Sequence, residues 1–160
     1  MEPTKIYLDM DGVLADFDNG LRELLNVTPK PQGHQTQAFQ NEMWTKMAEY
    51  QHFYRDMKPI AGAIEGFEAL WNKYVNKVEI LSGIPKPHRN ITFASEDKLS
   101  WVRKYLNEEI TVNLVYRAEK KNFCKDSSCI LIDDYESNIK EWNAAGGSGI
   151  LFKSWDEMDL

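Results

Sequence analysis

Asp9 and Asp11 stand two residues apart, directly after the apolar run Ile6-Tyr7-Leu8. Asp133 and Asp134 close a second such run, Ile130-Leu131-Ile132. Side chains alternate along a strand, so carboxylates at i and i+2 leave on one face. Like charges that close resist joint ionisation unless a cation or a shared proton compensates them. Each pair about 4 Å apart repels by roughly 4 kcal/mol at an effective dielectric near 20. A hard divalent cation relieves this, and an all-oxygen donor set favours magnesium over zinc or copper. Asp9, Asp11, Asp133 and Asp134 are therefore the expected metal ligands. The chemistry that such a site supports is attack on phosphorus. Asp9, leaving straight from the strand, suits the nucleophile; Asp11 suits the acid that protonates the leaving alkoxide and then the base that deprotonates water.

Other residues fit around that pair. Ser82 ends the run Val78-Glu79-Ile80-Leu81 and Gly83 follows it, which places a hydroxyl and a free backbone N–H where phosphate oxygens could be held. A lysine should supply fixed positive charge, and Lys98, Lys120 and Lys121 are the candidates. Phe17, Trp44, Phe53 and Tyr54 are either core aromatics or walls of a pocket, where at least one would stack on a planar part of the substrate. Lys86, His88 and Arg89 follow Ser82 closely enough to touch substrate or to form a solvated loop. Asp16 and Asp18 read as capping or surface acids, and His34, His52 and His88 show no ligand spacing and read as surface or loop residues.

The elements that must position these groups are short strands alternating with amphipathic helices, the pattern of a parallel sheet with covering helices. Strands are expected at Lys5–Leu8, Val78–Leu81, Thr111–Val115, Cys129–Ile132 and Gly149–Phe152. Helices are expected at Phe17–Asn26, Ala38–Phe53, Ala63–Tyr74, Ser95–Leu106 and Glu136–Ala145. Ser95 would serve as an N-cap, with Leu99, Val102 and Leu106 facing inward. Gly146-Gly147 suit a left-handed helix end. The fold class is a doubly wound α/β parallel sheet: residues 1–15 and 58–160 form the core, and residues 16–57 form a small helical cap inserted after the first strand. In such sheets ligands bind outside the carboxyl ends of the strands, and Asp9, Asp11, Ser82, Asp133 and Asp134 all fall there.

The bulk properties narrow the partners. A chain of 160 residues with net charge −6 argues against a broad basic face for long nucleic acid. Cys124 and Cys129 lack metal-ligand spacing, so free thiols are expected. No apolar run reaches a membrane span and no signal-like start is present, so a cytoplasmic protein without membrane contact is expected. A homodimer contact through the cap is open, although no apolar stripe is long enough to argue it.

At these residues the chain resembles the haloacid dehalogenase superfamily of phosphotransferases. DxD at Asp9-Met10-Asp11, the strand ending in Ser82, a lysine, and the paired acids Asp133-Asp134 occur in that order. Within the superfamily it is similar to the 5′(3′)-deoxyribonucleotidases. The likeness lies in Asp9-Met10-Asp11-Gly12-Val13-Leu14-Ala15-Asp16-Phe17, in Pro59-Ile60-Ala61-Gly62-Ala63, and in Glu96-Asp97-Lys98 leading to Trp101-Val102. The resemblance implies a magnesium-dependent phosphomonoesterase acting on nucleoside monophosphates through an aspartyl-phosphate on Asp9. It also implies Lys98 as the phosphate-binding lysine, Phe17 in a nucleoside pocket, and Arg117 with Lys120 or Lys121 flanking the phosphate. Ser82-Gly83 departs from the family's Thr-Ser and removes one hydroxyl. Two other readings stay open: a phosphatase of another small ester or of a polynucleotide 3′ end, and a phosphate-binding protein without turnover.

Overall fold

The computed structural model describes residues 2–159. Five strands, β1 (Lys5–Leu8), β2 (Val78–Gly83), β3 (Val112–Val115), β4 (Cys129–Asp133) and β5 (Ser148–Leu151), form one parallel sheet in the order β3-β2-β1-β4-β5. The central place of β1 follows from its composition. Ile6, Tyr7 and Leu8 are all buried, as a strand covered on both faces requires. Leu8 pairs with Ile80 on one side and with Ile132 on the other. That register brings the carboxyl ends of β1, β2 and β4 to one edge of the sheet.

The two sheet faces carry separate apolar clusters. Ile6, Leu8, Ile80 and Ile132 point to one, where they meet Phe67 and Leu70 of α4 (Ala63–Lys73) and Trp101 and Val102 of α5 (Ala94–Tyr105). Tyr7, Leu81 and Leu131 point to the other and meet Ile139 and Trp142 of α6 (Glu136–Ala144). Trp101 and Trp142 are buried whole, so their indole N–H groups need partners; they donate to the carbonyls of Met57 and Cys129. Gly146 follows α6 in the left-handed region, with φ of 98°. Between β1 and α4 lie α1 (Phe17–Leu25), α2 (Gln37–Tyr50) and the short α3 (Phe53–Asp56). Their buried residues Leu21, Met43, Met47 and Phe53 join the same cluster as Ile6 and Trp101.

Three local expectations need correction. The helix expected over 38–53 breaks at Gln51, whose φ is 79°, and α3 starts afresh. Helix α5 begins one residue before Ser95; Phe93 is its N-cap position and no side chain caps it. Its inward face is Ala94, Asp97, Lys98, Trp101 and Val102, while Leu99 is 41% exposed. Two polar residues took inward positions that periodicity assigns to apolar ones, and each meets an ionisable partner there, Asp97 with His52 and Lys98 with Asp11. No helix among the described residues is long and apolar enough to cross a membrane, and both cysteines are free.

Candidate active site

The chain leaves β1 at Asp9, whose N–H donates to the Ile132 carbonyl and continues the ladder by one step. It then folds back on itself. Leu14 and Ala15 both donate to the Met10 carbonyl, and Gly12 donates to Ala15. Gly12 has φ of 83°, a conformation that glycine adopts without strain. A side chain there would also run into the Asp134 carboxylate, so glycine is required on two counts. Trp155, from the last turn of the chain, donates its indole N–H to the Val13 carbonyl at 2.8 Å and clamps this loop from behind. Asp16 caps α1 through the Asn19 N–H, as expected of it.

The loop and the end of β4 bring three carboxylates together. One oxygen each of Asp9, Asp133 and Asp134 lie within 4.8 Å of one another. Lys120 reaches this group with its ammonium 2.8 Å from Asp9 Oδ1 and 2.8 Å from Asp133 Oδ2. Asp133 is buried and further satisfied by the Tyr135 N–H and the Asn138 amide, both at 2.9 Å. Burial, with the charge of Asp9 beside it, pushes the Asp133 carboxyl up despite Lys120, and burial with Asp9 and Asp133 pushes Asp134 up further. Burial alone would lower the Lys120 ammonium, but Asp9 and Asp133 outweigh it and hold its pKa above the ordinary lysine value. With all three carboxylates ionised around one ammonium, two negative charges would remain to be balanced, the charge of one divalent cation. The all-oxygen, carboxylate donor set fits magnesium by the same chemistry.

Asp11, the fourth expected ligand, stands apart from this trio. Its Oδ2 accepts from Lys98 at 2.9 Å, and its Oδ1 is buried without a partner among the described residues. Lys98 is fully buried and also donates to Ser82 Oγ at 2.8 Å and to the Gly83 carbonyl at 2.7 Å. The Tyr54 ring lies 4.4 Å from the same ammonium. Neither Ser82 nor Lys98 lines the cleft: both sit one layer behind it and brace Asp11. The lysine on the cleft is Lys120, while Lys121 is exposed and outside the lining. The 3₁₀ turn Arg117–Phe123, started by reciprocal Tyr116–Glu119 capping, turns one lysine of the pair inward and the other out.

The cleft above these groups encloses about 710 Å³, a size that suits a small molecule. Phe17, Trp44, Gly83 and Arg117, all expected at the substrate, do line it, as do Tyr54, Lys86, His88 and Arg89. Phe53 does not; it packs edge-on against Phe17 in the core. Arg117 is tied at 2.9 Å to both Asn138 and Glu141. Asn138 escaped the sequence reading, although it lies on the first turn of α6 just after the paired acids, where a polar residue has a carboxylate to serve. His52 also differs from expectation: its Nδ1 lies 3.0 Å from Asp97 Oδ2, and its ring stacks on Phe93.

With this geometry in place, the comparisons with known proteins converge. The family described as 5′ nucleotidase, deoxy (pyrimidine), cytosolic type C protein matches residues 3–158. A protein of Vibrio phage KVP40 named as a 5′(3′)-deoxyribonucleotidase is 32% identical over 134 residues, covering 83% of this chain and 67% of that protein. The mitochondrial 5′(3′)-deoxyribonucleotidase of Mus musculus is 25% identical, over 81% of this chain and 64% of its own length. The chain thus spans about two thirds of these relatives. A HAD hydrolase of Bacillus subtilis, solved bound to magnesium, shares the fold with a TM-score of 0.58 at 14% identity, covering 93% of this chain and 86% of that one. The L-2-haloacid dehalogenase of Xanthobacter autotrophicus does so with a TM-score of 0.55 at 9% identity, over 93% and 76%.

Proposed function

This chain belongs to the family of 5′ nucleotidase, deoxy (pyrimidine), cytosolic type C proteins, and from that premise we propose that it hydrolyses deoxyribonucleoside monophosphates to nucleoside and phosphate. The observation that carries this reading is the division of labour among the carboxylates. Asp9 is held by Lys120 at 2.8 Å beside Asp133 and Asp134. Asp11 is held separately by Lys98. Asp9 is the nucleophile. Its oxygen bonds to phosphorus, the ester bond to the leaving oxygen breaks, and an aspartyl-phosphate results. The Asp11 carboxyl, partly exposed to the cleft, gives its proton to the leaving oxygen and then takes one from the water that attacks the acyl-phosphate. Lys120 offsets negative charge on the phosphoryl oxygens in a setting where water is excluded. Lys98 and Ser82 keep Asp11 in place.

Asp9, Asp133 and Asp134 are the side chains that would hold a magnesium ion. Bound there, the ion would neutralise the carboxylates and the incoming phosphoryl group. Residues 16–57 act as the cap: Phe17, Trp44 and Tyr54 supply apolar walls for the nucleoside, and Gly83 and Arg117 face the phosphate side. The test is phosphate release from deoxyribo- and ribonucleoside 5′- and 3′-monophosphates, sugar phosphates and an aryl phosphate, with and without magnesium. Preferential magnesium-dependent release from deoxynucleotides supports the reading. Equal release from all esters would reduce it to a general phosphatase, and turnover by Asp9→Asn would remove the covalent mechanism.

A further inference from the structure

Above the carboxylates the cleft is walled by one face of α2. Gln40, Met43 and Trp44 fall at i, i+3 and i+4 and all line it, which places Gln40 and Trp44 one helical turn apart, about 5–6 Å between their Cβ atoms. Both side chains are fixed by outside partners. The Arg89 guanidinium lies 5.7 Å from the Trp44 ring and donates to Asn41 Oδ1 at 3.1 Å, so the loop after β2 steadies the indole. Gln40 donates from Nε2 to Gln35 Oε1 at 3.0 Å, and Gln35 donates from its own Nε2 to the Lys30 carbonyl at 3.1 Å. This relay settles which way each amide faces, because a backbone carbonyl can only accept. Among the described residues it leaves Gln40 with an uncommitted acceptor, Oε1, and one uncommitted N–H. An amide pair of that kind is a poor partner for phosphate or metal. It does match the Watson–Crick edge of a nucleobase, which carries a donor beside an acceptor.

We propose that Gln40, oriented by Gln35, reads the hydrogen-bonding edge of a base stacked on Trp44, and so selects base-bearing phosphate esters over plain sugar phosphates. The inference rests on the nucleotidase reading above and adds the residue that makes it specific. Gln40 Oε1 accepts from a ring N–H such as that of thymine or uracil, and the second Nε2 hydrogen donates to the neighbouring carbonyl. Gln35 is a positioning residue. It also lines the cleft, and its part here is to hold the Gln40 amide from turning over.

The experiment compares kcat/KM for thymidine 5′-monophosphate, its N3-methyl analogue and 2-deoxyribose 5-phosphate. The enzymes are wild type, Gln40→Ala and Gln35→Ala, with the melting temperature of each as a check on folding. In the wild type, methylation at N3 lowers kcat/KM about tenfold, as loss of one well-placed hydrogen bond should. In Gln40→Ala that discrimination collapses to within about twofold, chiefly through KM, and Gln35→Ala gives an intermediate ratio. A second readout without turnover is the rise in melting temperature caused by thymidine alone, which Gln40→Ala should largely remove. Unchanged discrimination in Gln40→Ala overturns the proposal, and so does an equal loss on deoxyribose 5-phosphate. Should the wild type cleave an aryl phosphate but neither nucleotide, the nucleotidase reading falls and this inference with it; the first two outcomes leave that reading standing.

Discussion

Replacing Lys98 by Met separates the support of Asp11 from the chemistry on Asp9. Lys98 is fully buried, and its ammonium meets Asp11, Ser82 and the Gly83 carbonyl at 2.9, 2.8 and 2.7 Å. At 2.9 Å the attraction to Asp11 is about 6 kcal/mol for an effective dielectric near 20. Burying the ammonium costs several kcal/mol, and the Tyr54 ring returns up to about 2 kcal/mol as a cation–π contact. Methionine fills the volume without charge but leaves three acceptors without their donor. Breaking a buried pair costs about 3–5 kcal/mol, and the Asp11 side chain is 24% exposed, so it regains some water and the lower end applies. At about 3 °C for each kcal/mol in a domain of this size, Lys98→Met should melt about 9 °C below wild type. The assay is thermal unfolding of wild type, Lys98→Met, Asp11→Asn and the double variant in the presence of magnesium. A coupling energy of about 2 kcal/mol is expected between two groups in direct contact. If the four values add within about 0.5 kcal/mol, the reasoning that Lys98 exists to hold Asp11 is refuted.

Asp9→Asn should abolish phosphate release with an unchanged far-ultraviolet circular dichroism spectrum, measured on the same preparation. Gly12→Ala should lose both activity and magnesium affinity by calorimetry, because its Cβ displaces Asp134 and its φ of 83° is strained for alanine; that backbone conformation alone costs about 1–2 kcal/mol. The metal-free protein should become less stable as pH rises. Burial and the negative charges beside them push the coupled Asp133 and Asp134 carboxyls up, to about 6 and about 9, above the roughly 4 of an unfolded carboxyl. The folded state therefore holds extra protons through this window, and stability falls as they leave. Melting temperature measured with chelator should drop steadily from about pH 5 to about pH 9, and saturating magnesium should flatten the slope.

Much of this was legible in the sequence because the strands are short apolar runs with acids or a serine at their ends. Each strand is displaced by at most a residue or two from its expected bounds, since β-rich runs between glycines and charges leave little choice of start. Asp9, Asp133 and Asp134 could be grouped because strand ends in a parallel sheet share one edge. The lysines could not be assigned. Lys98 lies on a helix that periodicity turns the wrong way, with Leu99 exposed in place of the buried charge, and Lys120 is set by a 3₁₀ turn that hydrophobic pattern does not reveal. The glutamine relay from Lys30 to Gln40 was equally invisible, since its spacing of five residues matches neither the helical nor the strand repeat and the residues meet only through side-chain geometry.

The place of β1 in the middle of the sheet bears on how this protein is made. Its partners are Val78–Ile80 on one side and Cys129–Ile132 on the other, so the strand that carries Asp9 emerges from the ribosome long before either neighbour exists. Contacts this distant in sequence slow folding, and an unpaired apolar strand is prone to wrong partners while it waits. No fragment that stops short of β4 can assemble the trio of Asp9, Asp133 and Asp134. Any divalent-ion affinity at this trio would therefore arise only once β4 has paired with β1, late in the making of the chain, and magnesium would act there as a latch on a sheet already largely formed.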